Sequence, residues 1–228
     1  MALLIKICGL KTPEALDVAL ESGADQVGFV FFGKSPRHLG LEAARLLGQR
    51  AQGRAGKVAL TVNANDEALH AIIAALKPDM LQLHGTETPE RVAVVRSHFG
   101  LPVMKALPIS TRADLSPIRM YANVADRLLF DARPAQDDTR PGGLGKTFDW
   151  TLLAGLNAGV PFMLSGGLDA GNVAEAIRIA RPQGVDVSSG VERSPGEKDP
   201  DKIRAFIRAA RAADASLNDV QGDRKVRL

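Results

Sequence analysis

Short apolar runs rich in β-branched residues alternate along the chain with longer Ala-rich stretches whose apolar positions recur at helical spacing. The runs predict strands starting near Leu3, Asp25, Lys57, Asp79, Pro102, Asp126, Pro161 and Val185. The stretches between them predict helices over Thr12–Ser22, Leu41–Gln49, Asp66–Leu76, Thr88–His98, Thr111–Tyr121, Phe148–Asn157, Ala170–Ala180 and Pro200–Asp214. Two of these open with Thr-Pro-Glu, a capping hydroxyl followed by proline where no N–H is needed. Strand starts recur mostly at intervals of 22 to 24 residues, with longer gaps after the second and sixth strands.

A regular strand–helix alternation makes parallel strands joined by right-handed crossovers. Eight such units in one chain predict an α/β fold, a single (β/α)8 TIM barrel over residues 1–215. An open doubly wound sheet is the other architecture with this rhythm. Its Gly-x-Gly-x-x-Gly marker is absent after the first strand, where Cys8-Gly9-Leu10-Lys11 stands. Residues 216–228 read as a poorly ordered basic tail carrying Arg224, Lys225 and Arg227.

Composition narrows the function classes. Of 228 residues, 29 are Lys or Arg and 26 are Asp or Glu, a net charge of +3 that is too small and too scattered to imply nucleic acid. No apolar run approaches the roughly 20 residues needed to span a bilayer. The start, with Lys6 inside its apolar run and no basic segment ahead of it, does not read as a signal peptide. A cytoplasmic protein is expected, as monomer or homodimer. The single cysteine, Cys8, excludes an internal disulfide framework and zinc sites built on paired cysteines. His38, His70 and His98 form no ligand-spaced set, so no metal is expected.

The candidate chemistry gathers at the C-terminal ends of the strands, the rim that carries catalysis in barrels. Side chains alternate along a strand, so Lys6 and Cys8 share the inward face while Ile5 and Ile7 face the helices. Cys8 is either a buried structural cysteine or, with a lysine beside it, a thiolate base or nucleophile. Asp131 directly follows the sixth strand, where a carboxylate serves as acid or base or as a turn residue. Strands 1 and 6 are three steps apart in a closed ring, which sets Cys8 and Asp131 across a pocket from each other. Arg37, in Ser35-Pro36-Arg37, suits a carboxylate near the apolar Phe31 and Phe32. His84 is a proton shuttle or a satisfied histidine, and Gln82 on the same face is a ligand contact or barrel filler. Gly166 and Gly167 after strand 7, and Ser188, Ser189 and Gly190 after strand 8, predict a phosphate site built on backbone N–H groups. Gly143 and Gly145, in the long loop after strand 6, read as a flap over the ligand rather than a nucleotide P-loop.

Taken together, these segments resemble phosphoribosylanthranilate isomerase, of tryptophan biosynthesis. The resemblance runs from Lys6-Ile7-Cys8-Gly9 through Gln82-Leu83-His84-Gly85, Phe130-Asp131, Gly142-Gly143-Leu144-Gly145-Lys146-Thr147-Phe148-Asp149-Trp150 and Ser165-Gly166-Gly167-Leu168 to Asp186-Val187-Ser188-Ser189-Gly190-Val191-Glu192. It implies a cofactor-free Amadori rearrangement of a small phosphorylated substrate, with no nucleic-acid or membrane partner. By the same resemblance Asp131 is the general acid, Cys8 the general base, Arg37 the carboxylate ligand and the glycine loops the phosphate site. Leu144, Ser165 and Thr61 depart from the family's usual residues at their positions. Indole-glycerol-phosphate synthase and a histidine-pathway isomerase share such phosphate loops, but the Cys8/Asp131 pair sets this chain apart from them. A non-catalytic phosphate-binding barrel would not need that pair.

Overall fold

In a computed structural model that describes residues 2–133, 145 and 147–226, the strand pattern closes on itself. The eight barrel strands are β1 (Leu4–Cys8), β2 (Gln26–Phe31), β3 (Gly56–Thr61), β4 (Met80–Leu83), β5 (Val103–Ile109), β6 (Arg127–Ala132), β7 (Phe162–Leu164) and β8 (Gly184–Val187). They pair in sequence order, all parallel, and β8 returns to β1. The (β/α)8 expectation therefore holds. A two-stranded antiparallel ribbon, β9 (Glu192–Ser194) and β10 (Glu197–Lys198), follows the barrel.

Alternation along each strand separates two apolar layers. Ile5 and Ile7 of β1 are fully buried between strands and helices, each contributing about 1.5–3 kcal/mol. Val58, Met104, Leu129 and Met163 fill the barrel interior. Above them Cys8, Val30 and Leu60 form the floor of the rim.

The helices α1 (Pro13–Glu21), α2 (Leu41–Ala51), α3 (Asp66–Leu76) and α4 (Pro89–Phe99) follow the pattern closely. Thr12 and Thr88 cap α1 and α4 through their hydroxyls, as the Thr-Pro-Glu openings predict. Three stretches differ. Thr111–Tyr121 divides into a 3₁₀ turn, Arg112–Leu115, and a short α5 (Ile118–Ala122), because Pro117 between them has no N–H to continue a helix. Phe148–Asn157 forms only a 3₁₀ turn, Trp150–Leu153, which ends where Ala154 turns extended and Gly155 takes φ +71°. After α6 (Val173–Ala180), α7 runs from Pro200 to Val226, well past Asp214. Leu217 packs against the core in that extension. Among the described residues no helix is long and apolar enough to cross a membrane.

Candidate active site

Closure of the ring places Lys6 of β1 in register with Asp186 of β8. The Lys6 ammonium donates to both carboxylate oxygens at 3.0 Å, with both side chains almost fully buried. Cys8 stands one step higher on the same face, paired across β2 with Gly28. A Cβ on Gly28 would fall 2.8 Å from the Cys8 sulfur and 3.0 Å from the Lys6 nitrogen, so glycine is what lets these two groups sit there.

Burial pushes the Cys8 thiol up, Lys6 and Lys198 pull it down, and Asp186 pushes it up again; the net shift is upward from 9.0. Lys6 stands beside the sulfur and is itself paired with Asp186. Burial lowers the Lys6 ammonium, yet Asp186 and Cys8 more than offset this and raise it above 10.5.

Across the rim, Asp131 is fixed at both oxygens. Oδ1 accepts from the Ala132 N–H at 2.9 Å, and Oδ2 lies 3.2 Å from His84 Nε2. The Gln82 amide meets His84 Nδ1 at 3.0 Å. With that amide donating, the ring proton sits on Nε2 and points at Asp131. His84 is thus a satisfied histidine whose partner is the candidate acid. Gln82 is buried behind it, a support and not a wall of the cavity.

The loop that carries His84 is held by a buried cluster. Lys105 donates to Glu87 Oε2 at 2.8 Å and to the Gly85 carbonyl at 2.7 Å. Glu87 in turn accepts from the backbone of Asn63 at 2.8 Å and of Gly85 at 2.9 Å.

Arg37 is buried at the mouth and forked onto Glu192, Nε to Oε1 at 2.7 Å and Nη2 to Oε2 at 2.8 Å. Lys198 donates to the same Glu192 Oε1 at 2.8 Å and to the Ser188 carbonyl at 2.8 Å. Burial lowers Lys198 to about 8, against the raising effect of Glu192. Asp186, Glu192 and Lys198 went unassigned in the sequence reading. For Asp186 a signal existed: a charge between Val185 and Val187 on an inward face demands a buried partner, and Lys6 is the inward cation on the next strand.

The glycine segments meet on the same cavity. Gly166 and Gly167 take φ +89° and +62°, a conformation that favours glycine. Gly190 begins the 3₁₀ turn Ser189–Val191 with Ser189, close against the Leu168 carbonyl. Among the described residues the backbone N–H groups of Gly167, Ser189 and Gly190 donate to no protein acceptor, as an anion site requires. Gly145 lies near the Ser189 hydroxyl but does not line the cavity; Gly143 lies outside the described residues.

A single cavity of about 810 Å3, counted to its open mouth, brings Cys8, Arg37, His84, Asp131, Gly166, Gly167, Ser188 and Ser189 together. Lys6 lies beneath it. Among the described residues no group of three or more His, Cys, Asp and Glu is arranged to hold a metal.

Residues 5–209 match the family described as N-(5′-phosphoribosyl)anthranilate (PRA) isomerase. An N-(5′-phosphoribosyl)anthranilate isomerase of Bradyrhizobium sp. is 64% identical over 214 residues, covering 94% of this chain and 98% of that protein. One from Rhodopseudomonas palustris is 61% identical, covering 93% and 100%. The crystal structure of phosphoribosyl anthranilate isomerase from Thermotoga maritima is similar at a TM-score of 0.83 and 36% identity, covering 92% and 99%. A structure of the isomerase with reduced 1-(o-carboxyphenylamino)-1-deoxyribulose 5-phosphate has a TM-score of 0.80 at 34% identity, covering 92% and 99%.

Proposed function

Because the chain belongs to the N-(5′-phosphoribosyl)anthranilate isomerase family, we propose that its rim performs the rearrangement with Asp131 as general acid and Cys8 as general base. The activity is the isomerisation of N-(5′-phosphoribosyl)anthranilate, a step of tryptophan biosynthesis.

The observation that carries the reading is the placement of Cys8 and Asp131 on one cavity with Arg37 and the glycine loops. The phosphate binds to the N–H groups around Gly167, Ser189 and Gly190. The anthranilate carboxylate binds to Arg37. With both anionic ends clamped, the sugar lies between the acid and the base, which supplies proximity and orientation.

Asp131 donates a proton to the ring oxygen as the bond from that oxygen to C1′ breaks, leaving a cationic Schiff base with the anthranilate nitrogen. The iminium acidifies the C2′ hydrogen. Cys8, once its thiol has given its own proton to solvent, takes the C2′ proton as thiolate, and the C–H electron pair forms the C1′–C2′ double bond while the iminium pair returns to nitrogen. The enolamine then tautomerises to the ketone, 1-(2-carboxyphenylamino)-1-deoxyribulose 5-phosphate. No atom is gained or lost, so the reaction needs only groups that exchange protons. His84 keeps the Asp131 carboxyl aimed at the sugar.

A cytoplasmic setting and a monomer or homodimer belong to the same reading; a Thermotoga maritima relative is described as dimeric.

The test follows the fluorescence of phosphoribosylanthranilate as purified protein consumes it. Rapid loss of signal with the parent chain, and a rate lowered roughly 10²- to 10⁴-fold by Asp131→Asn, supports the assignment. Near-normal turnover by that variant overturns the role of Asp131.

A further inference from the structure

Glu192 has no place in the mechanism above, yet it is a buried carboxylate held by two cations. Its side chain is only 4% exposed. It accepts from Arg37 Nε and Nη2 at 2.7 and 2.8 Å, from Lys198 Nζ at 2.8 Å and from the Gly196 N–H at 3.2 Å. A buried carboxylate with this many charged donors has a fixed rotamer, and it fixes the guanidinium it holds.

Its place in the chain gives that rigidity a purpose. Glu192 opens β9, directly after the 3₁₀ turn Ser189–Val191 of the phosphate loop. Lys198, bound to Glu192, also donates to the Ser188 carbonyl, and the Ser188 hydroxyl donates to the Cys8 carbonyl at 3.1 Å. On the other side, the β9–β10 turn presses on the loop bearing Arg37. A Cβ on Gly196 would fall 2.4 Å from the Pro36 carbonyl oxygen, and Lys11 donates to that same oxygen at 2.8 Å. One carboxylate therefore joins the loop assigned to the phosphate to the Arg37 guanidinium.

We propose that Glu192 is a positioning residue that fixes the distance between the two anion-binding ends of the site. It thereby selects ligands whose phosphate and carboxylate are separated by that distance. The inference rests on the assignment of Arg37 to the substrate carboxylate. A ligand that uses only the phosphate end does not feel Glu192; a ligand that spans both ends does.

The experiment compares two competitive inhibitors on the full chain: inorganic phosphate, and reduced 1-(o-carboxyphenylamino)-1-deoxyribulose 5-phosphate. Glu192→Gln keeps the shape and removes the charge. The expected result is a rise of roughly tenfold or more in Ki for the spanning analogue, with Ki for phosphate changed less than about twofold. KM for substrate rises more than kcat falls. Glu192→Asp retains the charge and draws it back by one methylene, so it moves the same readouts in the same direction if Glu192→Gln fails to fold. An unchanged analogue Ki, or an equal loss for both inhibitors, overturns the proposal, since the second is what general damage to the rim produces. Arg37→Met separates the two assignments. If Arg37→Met leaves the analogue Ki unchanged, the carboxylate assignment fails. If Arg37→Met weakens the analogue and the Glu192 variants do not, only the role of Glu192 fails. In the double variant Arg37→Met/Glu192→Gln, the analogue Ki should equal that of Arg37→Met alone, because Glu192 acts through the arginine.

Discussion

His84 and Asp131 meet at 3.2 Å, Nε2 to Oδ2, although one directly follows β4 and the other lies on β6, strands that are not neighbours in the barrel. The contact spans the rim above Lys105 of β5, whose ion pair with Glu87 fastens the His84 loop. The carboxyl proposed as the acid is thus aimed by a ring that is itself held by Gln82. His84→Ala should lower kcat by roughly ten- to a hundredfold with KM changed little, because it disturbs the aim of the acid and not the anion sites. Steady-state kinetics checks this; a rise in KM alone would place His84 in binding.

The lone cysteine makes the next prediction clean. Burial raises the Cys8 thiol above 9.0 despite Lys6 and Lys198. The rate of alkylation by iodoacetamide, measured against pH on the unliganded protein, should rise with a midpoint above 9 and show no plateau near neutrality. A midpoint near 7 would mean that the two lysines outweigh burial.

Lys6 and Asp186 are a buried pair in register on β1 and β8. Lys6→Met leaves Asp186 without its cation and should cost about 3–5 kcal/mol, read as a fall in Tm of roughly 6–20 °C. Lys6→Met/Asp186→Leu should recover most of the loss, since no isolated charge is then left inside the barrel. Thermal denaturation of both variants decides it.

Glu192 gives an acid limb to stability. Burial works to raise its carboxyl, but hydrogen bonds and charge from Arg37 and Lys198 prevail and hold it below its ordinary 4.5. The folded state therefore favours the ionised form. That contribution is present above pH 4.5 and is lost as pH falls through the lowered folded value. Urea titrations from pH 7 downward should show the gap between the parent chain and Glu192→Gln narrowing once the pH passes below 4.5. A gap that stays constant to pH 3 would contradict the linkage.

The barrel was readable because periodicity is local. Ile5 and Ile7 against Lys6 and Cys8 divide β1 into its two faces, and the same alternation recurs in the later strands. The helices at 111–121 and 148–157 were over-read, since apolar spacing there did not weigh Pro117 or the stop at Ala154 and Gly155. At the site, the residues that touch the cavity were legible from their strand-end positions. Their partners were not: Asp186 is 180 residues from Lys6 and Glu192 is 155 from Arg37, and only closure of the ring brings them together. The same holds for Lys6, a cation beside Cys8 in sequence that is half of a pair with Asp186 in space.

Turnover and ligand affinity measured together on Cys8→Ser test the central claim most directly. A serine keeps the shape of the site, and its hydroxyl is a far weaker acid than a thiol. The account predicts a fall in kcat of roughly 10²- to 10⁴-fold, with the Kd for reduced 1-(o-carboxyphenylamino)-1-deoxyribulose 5-phosphate within about threefold of the parent. A kcat within tenfold of the parent would show that Cys8 is not the base that takes the C2′ proton.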